Sequence, residues 1–124
     1  MSAYTPEDAD RLVCEAISAG DLEAALALYE PEACFVVEPG NVVTGREAIR
    51  QTMSQFLALQ PTLTLEKVTA VQAGDIALLS STWSLAGTGP DGRPVSMSGQ
   101  GREVVRQQPD GTWRFVIDAP NGLG

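Results

Sequence analysis

The chain has no histidine. That removes any Ser-His-Asp or Cys-His nucleophile system, any histidine-dependent dehydratase and most zinc sites. Basic residues are scarce: 8 Lys and Arg stand against 16 Asp and Glu, a formal charge of −8. Such a chain repels phosphate backbones, and no basic stripe offsets this, so neither nucleic acid nor an anionic membrane surface is an expected partner. No apolar run approaches the roughly 20 residues that cross a bilayer. The opening MSAYTPEDADR has no basic segment followed by an apolar one, so no signal peptide is expected and a cytoplasmic location is the default. The only cysteines, Cys14 and Cys34, fall in predicted regular structure and read as reduced, buried thiols. No metal or cofactor is expected. The acids Glu7, Asp8 and Asp10 lack the spacing of a calcium loop and read as a solvated helix start that complements the helix dipole. Gly87–Gly92 spells G-x-G-x-x-G, but a strand rather than a helix follows it, so it reads as a hairpin loop.

What is present is a single domain over residues 1–124, helices first and strands after. Thr5 reads as an N-cap, with Pro6 at the first helical position and Asp8 completing a capping box. Ala9, Leu12, Val13, Ala16 and Ile17 make one apolar stripe, which Gly20 ends. Asp21 caps a second helix carrying Leu22, Ala25, Leu26 and Tyr29, stopped by Pro31. Ala33–Glu38 is a short strand and Pro39-Gly40-Asn41 a loop. Thr44 and Glu47 form a second capping box for a helix bearing Ile49, Met53, Phe56 and Leu57.

From Thr62 the period changes to two. Strands are expected over Thr62–Gln72, with a bulge near Glu66-Lys67, then Ile76–Ala86, Pro94–Gln107 and Thr112–Ala119. The last two join through a turn at Pro109-Asp110-Gly111, where Pro presets φ, Asp bonds its own backbone and Gly takes positive φ. In the closing strand the alternation places Trp113, Phe115 and Ile117 on one face and Arg114, Val116 and Asp118 on the other. This is an α+β pattern: three N-terminal helices packed on a strongly curved, mostly antiparallel sheet of four to five strands.

The order helix, AGDLEAALALY, strand, TGREAI helix, and strands ending in PDGTWRFVID resembles the NTF2-like superfamily, in its SnoaL-like and ketosteroid-isomerase-like branch. The resemblance runs from about Pro6 to Asp118. It implies a cone-shaped pocket and a homodimer formed through the sheet, and long strands apolar on both faces agree with the dimer. It is nearly silent on chemistry, because the superfamily contains isomerases, cyclases, dehydratases, epoxide hydrolases and non-catalytic modules. The isomerase pattern would place its two oxyanion tyrosines at Val13 and Met53, its general base at Val37 or Glu38, and its protonated acid at Glu103. Two apolar residues at tyrosine positions weaken a steroid-isomerase reading.

In the resembled fold the Val116–Asp118 face points into the cone. A carboxylate there would have a raised pKa and could act as acid or base. The plainer alternative is that Asp118 binds a backbone group or an arginine. Glu103 is its expected neighbour, with like charges leaving one acid protonated. Alternatives are an exposed Glu103, or an inward Arg102 pairing with Asp118. Glu38, at the expected mouth, is a candidate base or an ordinary loop acid. Tyr29, Phe35, Met53, Phe56, Trp83 and Val116 are the expected pocket lining, although such apolar stripes more often form core. Which face of the Trp83 strand looks inward stays open. The expected function is binding of a small, largely apolar organic molecule, with acid–base isomerase, cyclase or hydratase activity through Asp118, helped by Glu103 or Glu38. The alternatives are a non-catalytic dimerisation module and a protein that sequesters a ligand without turnover.

Overall fold

The computed structural model describes residues 2–123. Three helices, α1 (Pro6–Ser18), α2 (Leu22–Leu26) and α3 (Arg46–Leu57), accompany six strands: β1 (Tyr29–Glu38), β2 (Asn41–Thr44), β3 (Thr62–Ala73), β4 (Ile76–Thr88), β5 (Pro94–Gln107) and β6 (Trp113–Ala119). The strands form one sheet in the order β2-β1-β6-β5-β4-β3. Every neighbouring pair is antiparallel except β1 and β6. Among the described residues no helix is long and apolar enough to cross a membrane.

The start of α1 forms as its sequence dictates. Thr5 and Asp8 exchange side-chain and backbone hydrogen bonds in a capping box. Its end is a Schellman turn: Gly20 takes φ +72°, while the amides of Gly20 and Asp21 donate to the carbonyls of Ile17 and Ala16. Asp21 then caps α2 through the amide of Ala24. At the last turn, Asp110 Oδ1 accepts from both the amide and the hydroxyl of Thr112, and Gly111 takes φ +86°.

Four local expectations are corrected. Tyr29 does not belong to α2; the chain is already extended there, and β1 runs through Pro31. Residue 41 opens an additional edge strand, so the sheet has six strands rather than four or five. Thr44 ends that strand and makes no cap; Gly45, at φ +92°, is the N-cap of α3 and offers no side chain. The alternation along β6 also breaks. Val104 pairs with Ile117, but the next residue, Val105, pairs with Phe115, leaving Val116 as the extra residue of a bulge. The predicted bulge in β3 lies at Glu66, which is skipped between Leu65 and Lys67.

The helices cover one face of the curved sheet, and α1 packs chiefly on β3. The core between them includes Tyr29, Phe35, Ile49, Met53, Leu79, Val105, Trp113 and Phe115. Gly87 makes room at one end, because a Cβ there would meet the Leu59 carbonyl at 2.7 Å. Through that contact the amide of Thr88 reaches Leu59 and ties β4 to the end of α3.

Candidate active site

Between the helices and the inner face of the sheet lies a cavity of about 340 Å³. Its walls are apolar side chains from α1 (Val13, Ile17), α3 (Met53, Phe56), β3 (Leu63, Leu65) and β4 (Trp83, Leu85). Exposed Met97, Ser98 and Asn121 lie at its outer end. At the deep end sit Tyr29 and three buried carboxyl groups, Asp10, Glu103 and Asp118, at 5%, 2% and 8% exposure.

The bulge at Val116 brings Asp118 inward. Because the bulge adds one residue, Phe115 and Asp118 face the same side, and Ile117 turns outward to 39% exposure. Strict alternation would have put Phe115 and Asp118 on opposite faces. Val116, expected beside Asp118, does not line the cavity. Asp118 pairs across the strands with Glu103, so their side chains are direct neighbours on the inner face. The Tyr29 hydroxyl donates a hydrogen bond to Asp118 Oδ2. Tyr29 is held by Arg46, whose guanidinium donates to its carbonyl at 3.0 and 2.5 Å, and by its ring against Phe115, with centroids 4.8 Å apart.

Ser81, opposite Gly101 on β4, donates to Glu103 Oε2 at 3.0 Å. Gly101 is required for this contact: a Cβ there would collide with Glu103 Oε2 and lie 2.5 Å from Ser81 Oγ. Gly99 makes the same kind of room for the Trp83 ring, whose Cζ2 would lie 2.7 Å from an added Cβ. The ring is fixed by its Nε1 donating to the Pro120 carbonyl at 2.7 Å. The inner face of β4 is therefore Leu79, Ser81, Trp83 and Leu85, the choice that pattern left open.

The lining contains no Lys, Arg or His, so burial governs the ionisation of its acids. Burial pushes Asp118 up to about 7, with the Tyr29 hydrogen bond acting the other way and the charge of Asp10 adding to the rise. Burial, and after it the neighbouring Asp10 carboxyl, push Glu103 up to about 11, so it is an acid at neutral pH. Asp10 is raised by burial. Tyr29 is raised well above the usual phenol range by burial and by the charge of Asp118. Burial, then the charge of Asp10, pushes the Cys14 thiol up to about 12.

The structure thus brings Asp118, Glu103, Tyr29, Phe35, Met53, Phe56 and Trp83 to one cavity and leaves out two sequence candidates, Val116 and Glu38. Glu38 is exposed at the β1–β2 hairpin, where it pairs with Asn41. Arg102 faces away from the cavity and donates to Ser80 and to the Gly101 carbonyl, so it makes no pair with Asp118. Sequence reasoning misses Asp10, because an acid at a helix start reads as solvated. The signal was available: Asp10, Val13, Cys14 and Ile17 follow the i, i+3, i+4, i+7 spacing of one helix face, and all four line the cavity. Among the described residues no three His, Cys, Asp or Glu side chains converge closely enough to hold a metal ion.

A family model described as SnoaL-like domain matches residues 10–116. No curated protein matches the sequence. Among solved structures, a candidate dehydratase of the NTF2-like family from Streptomyces avermitilis is 23% identical over 90% of this chain and 88% of that one, with TM-score 0.76. A candidate aromatic ring hydroxylase from Novosphingobium aromaticivorans is 22% identical over 95% and 86% of the two chains, with TM-score 0.83. A candidate ketosteroid isomerase from Shewanella frigidimarina is 19% identical over 90% of each chain, with TM-score 0.76. Likeness at these identities establishes a shared fold and carries no chemistry with it. The chain belongs to the SnoaL-like domain family and shares the fold of an NTF2-like protein.

Proposed function

We propose that the cavity binds a small, largely apolar molecule bearing an oxygen, and that Asp118 with Tyr29 moves protons on it in an isomerase-, cyclase- or hydratase-type reaction. The observation that carries this reading is a buried carboxyl bonded by a tyrosine at the deep end of a largely apolar hollow, where burial pushes its pKa up to about 7. General acid–base catalysis is most effective when the group's pKa lies near the working pH. The cavity volume of about 340 Å³ suits a small organic ligand, since such sites span about 300–1,000 Å³. Glu103, held as an acid beside Asp118, supplies the hydrogen-bonding power that a developing oxyanion needs. Val13 and Met53 on the opposite wall offer no such donor.

The names of the dehydratase and isomerase relatives agree with proton-transfer chemistry without identifying a substrate. The test is hydrogen exchange into β-tetralone in heavy water, followed by mass spectrometry. The protein should accelerate exchange next to the carbonyl, and Asp118→Asn should return the rate to that of buffer. Equal rates for the two proteins would count against the reading.

A second reading, a dimerising module, has its own observation. On the outer face Val71, Leu78, Val104 and Ile117 pair in sequence across β3, β4, β5 and β6 and form one apolar row. Val71 and Leu78 are 71% and 52% exposed. We propose that a second copy of this chain covers the row. This dimer is compatible with the enzymatic reading, because the row lies on the face away from the cavity.

A further inference from the structure

The acid–base reading uses Asp118, Tyr29 and Glu103 and leaves Asp10 without a role. Asp10 is 95% buried by residue exposure, yet its Oδ2 has no hydrogen-bond partner, and the same is true of Glu103 Oε1. Two orphaned acceptors at one cavity floor would each carry the desolvation cost of an unmet polar group. The two carboxyl groups are within hydrogen-bonding reach of each other. One proton placed between them removes both deficits. Its position is constrained, because Ser81 already donates to Glu103 Oε2 and leaves Oε1 as the atom to carry it.

We propose that Asp10 is a positioning residue of this site: its carboxylate accepts a hydrogen bond from the protonated Glu103, keeps Glu103 in its acid form and directs that proton along the cavity floor. The proposal rests on the acid–base reading above and names the residue that supports its acid. The direction of sharing follows from the chemistry of the pair. Burial raises both groups, but the charge of Arg11 acts to lower Asp10 alone, so Glu103 keeps the proton and Asp10 carries the charge. The titratable groups around the pair are Cys14 on α1, Tyr29 on β1 and Asp118 on β6; α3, β3 and β4 present none to the cavity. The nearest cation, Arg11, is exposed and engaged by Asp8 at 2.6 Å. No basic side chain lines the cavity to pair with the charge of Asp10.

The experiment is carboxyl-carbon NMR of the full, ligand-free chain labelled at Asp and Glu, titrated with pH. In the wild type Glu103 should stay protonated through neutral pH. In Asp10→Asn, which removes the charge but keeps the shape, its midpoint should fall by at least about one pH unit. Asp118→Asn should move it less. An unchanged Glu103 midpoint in Asp10→Asn would overturn the proposal, as would an ionised Glu103 at neutral pH in the wild type. The wild type alone gives a second reading, which covers the case of a variant that does not fold. The Asp10 carbon should move in the same alkaline step as that of Glu103, because coupled groups titrate together. An Asp10 signal with only its own acidic step would overturn the proposal equally. Either failure leaves the exchange test of Asp118 intact, so the two readings fall separately.

Discussion

Phe115 and Asp118 lie three residues apart in one strand and still face the same way, because Val116 is left out of the pairing with β5. One inserted residue thus sets a carboxyl beside the Tyr29 hydroxyl while Phe115 packs on the Tyr29 ring. A strand without the bulge would send one of the two outward.

Burial of Asp118 gives stability a definite pH dependence. The folded chain holds this proton up to about 7, whereas the ordinary value is 3.8. Between those values the native state binds more protons than the unfolded one. The stabilisation is complete below the window and is lost as pH rises through it, in total on the order of a few kcal/mol. Asp118→Asn stays neutral throughout and can still accept from Tyr29. Urea unfolding at about pH 5 and about pH 8 should therefore show the variant gaining on the wild type at the higher pH. A constant difference between the two proteins would show that Asp118 is not desolvated.

Gly101 should tolerate no side chain. A Cβ would lie 2.5 Å from Ser81 Oγ and also crowd Glu103 Oε2. Gly101→Ala should cost about 1–3 kcal/mol by overpacking, read by chemical denaturation. Ser98→Ala, at an exposed position of the same strand, should change stability by less than about 0.5 kcal/mol.

Much of this was legible in the chain itself. The cap at Thr5, the stop at Gly20 and the turn at Asp110-Gly111 follow from local chemistry that needs no partner, and the bulge near Glu66 shows as a slip in the alternation of β3. Tyr29 was misplaced because Pro31 reads as a helix stop, while the same proline is accepted within β1. The bulge at Val116 was not legible. Its neighbours alternate acceptably in either phase, and only pairing with Val104 and Val105 decides between them. Asp118 was thus expected in the cavity through an alternation that does not hold, and Val116 was expected there for the same reason. Asp10 was hidden by composition, since an acid in the first two turns of a helix suits the dipole wherever it points.

The apolar row on the outer face makes a separate prediction. Leu78→Glu places a charge at its centre, flanked by Val71 and Val104. If a second copy covers that row, the wild type should sediment as a dimer and the variant as a monomer, with the fold and the exchange activity retained. A monomeric wild type at micromolar concentration would remove the dimer.

The most direct test of the account is the titration midpoint of the Asp118 carboxyl carbon in the folded wild type. Burial of this carboxyl, opposed only in part by its tyrosine hydrogen bond, predicts a midpoint near 7. A midpoint at the ordinary carboxylate value of 3.8 would mean that the group is in water, and the proton-transfer site would have no base.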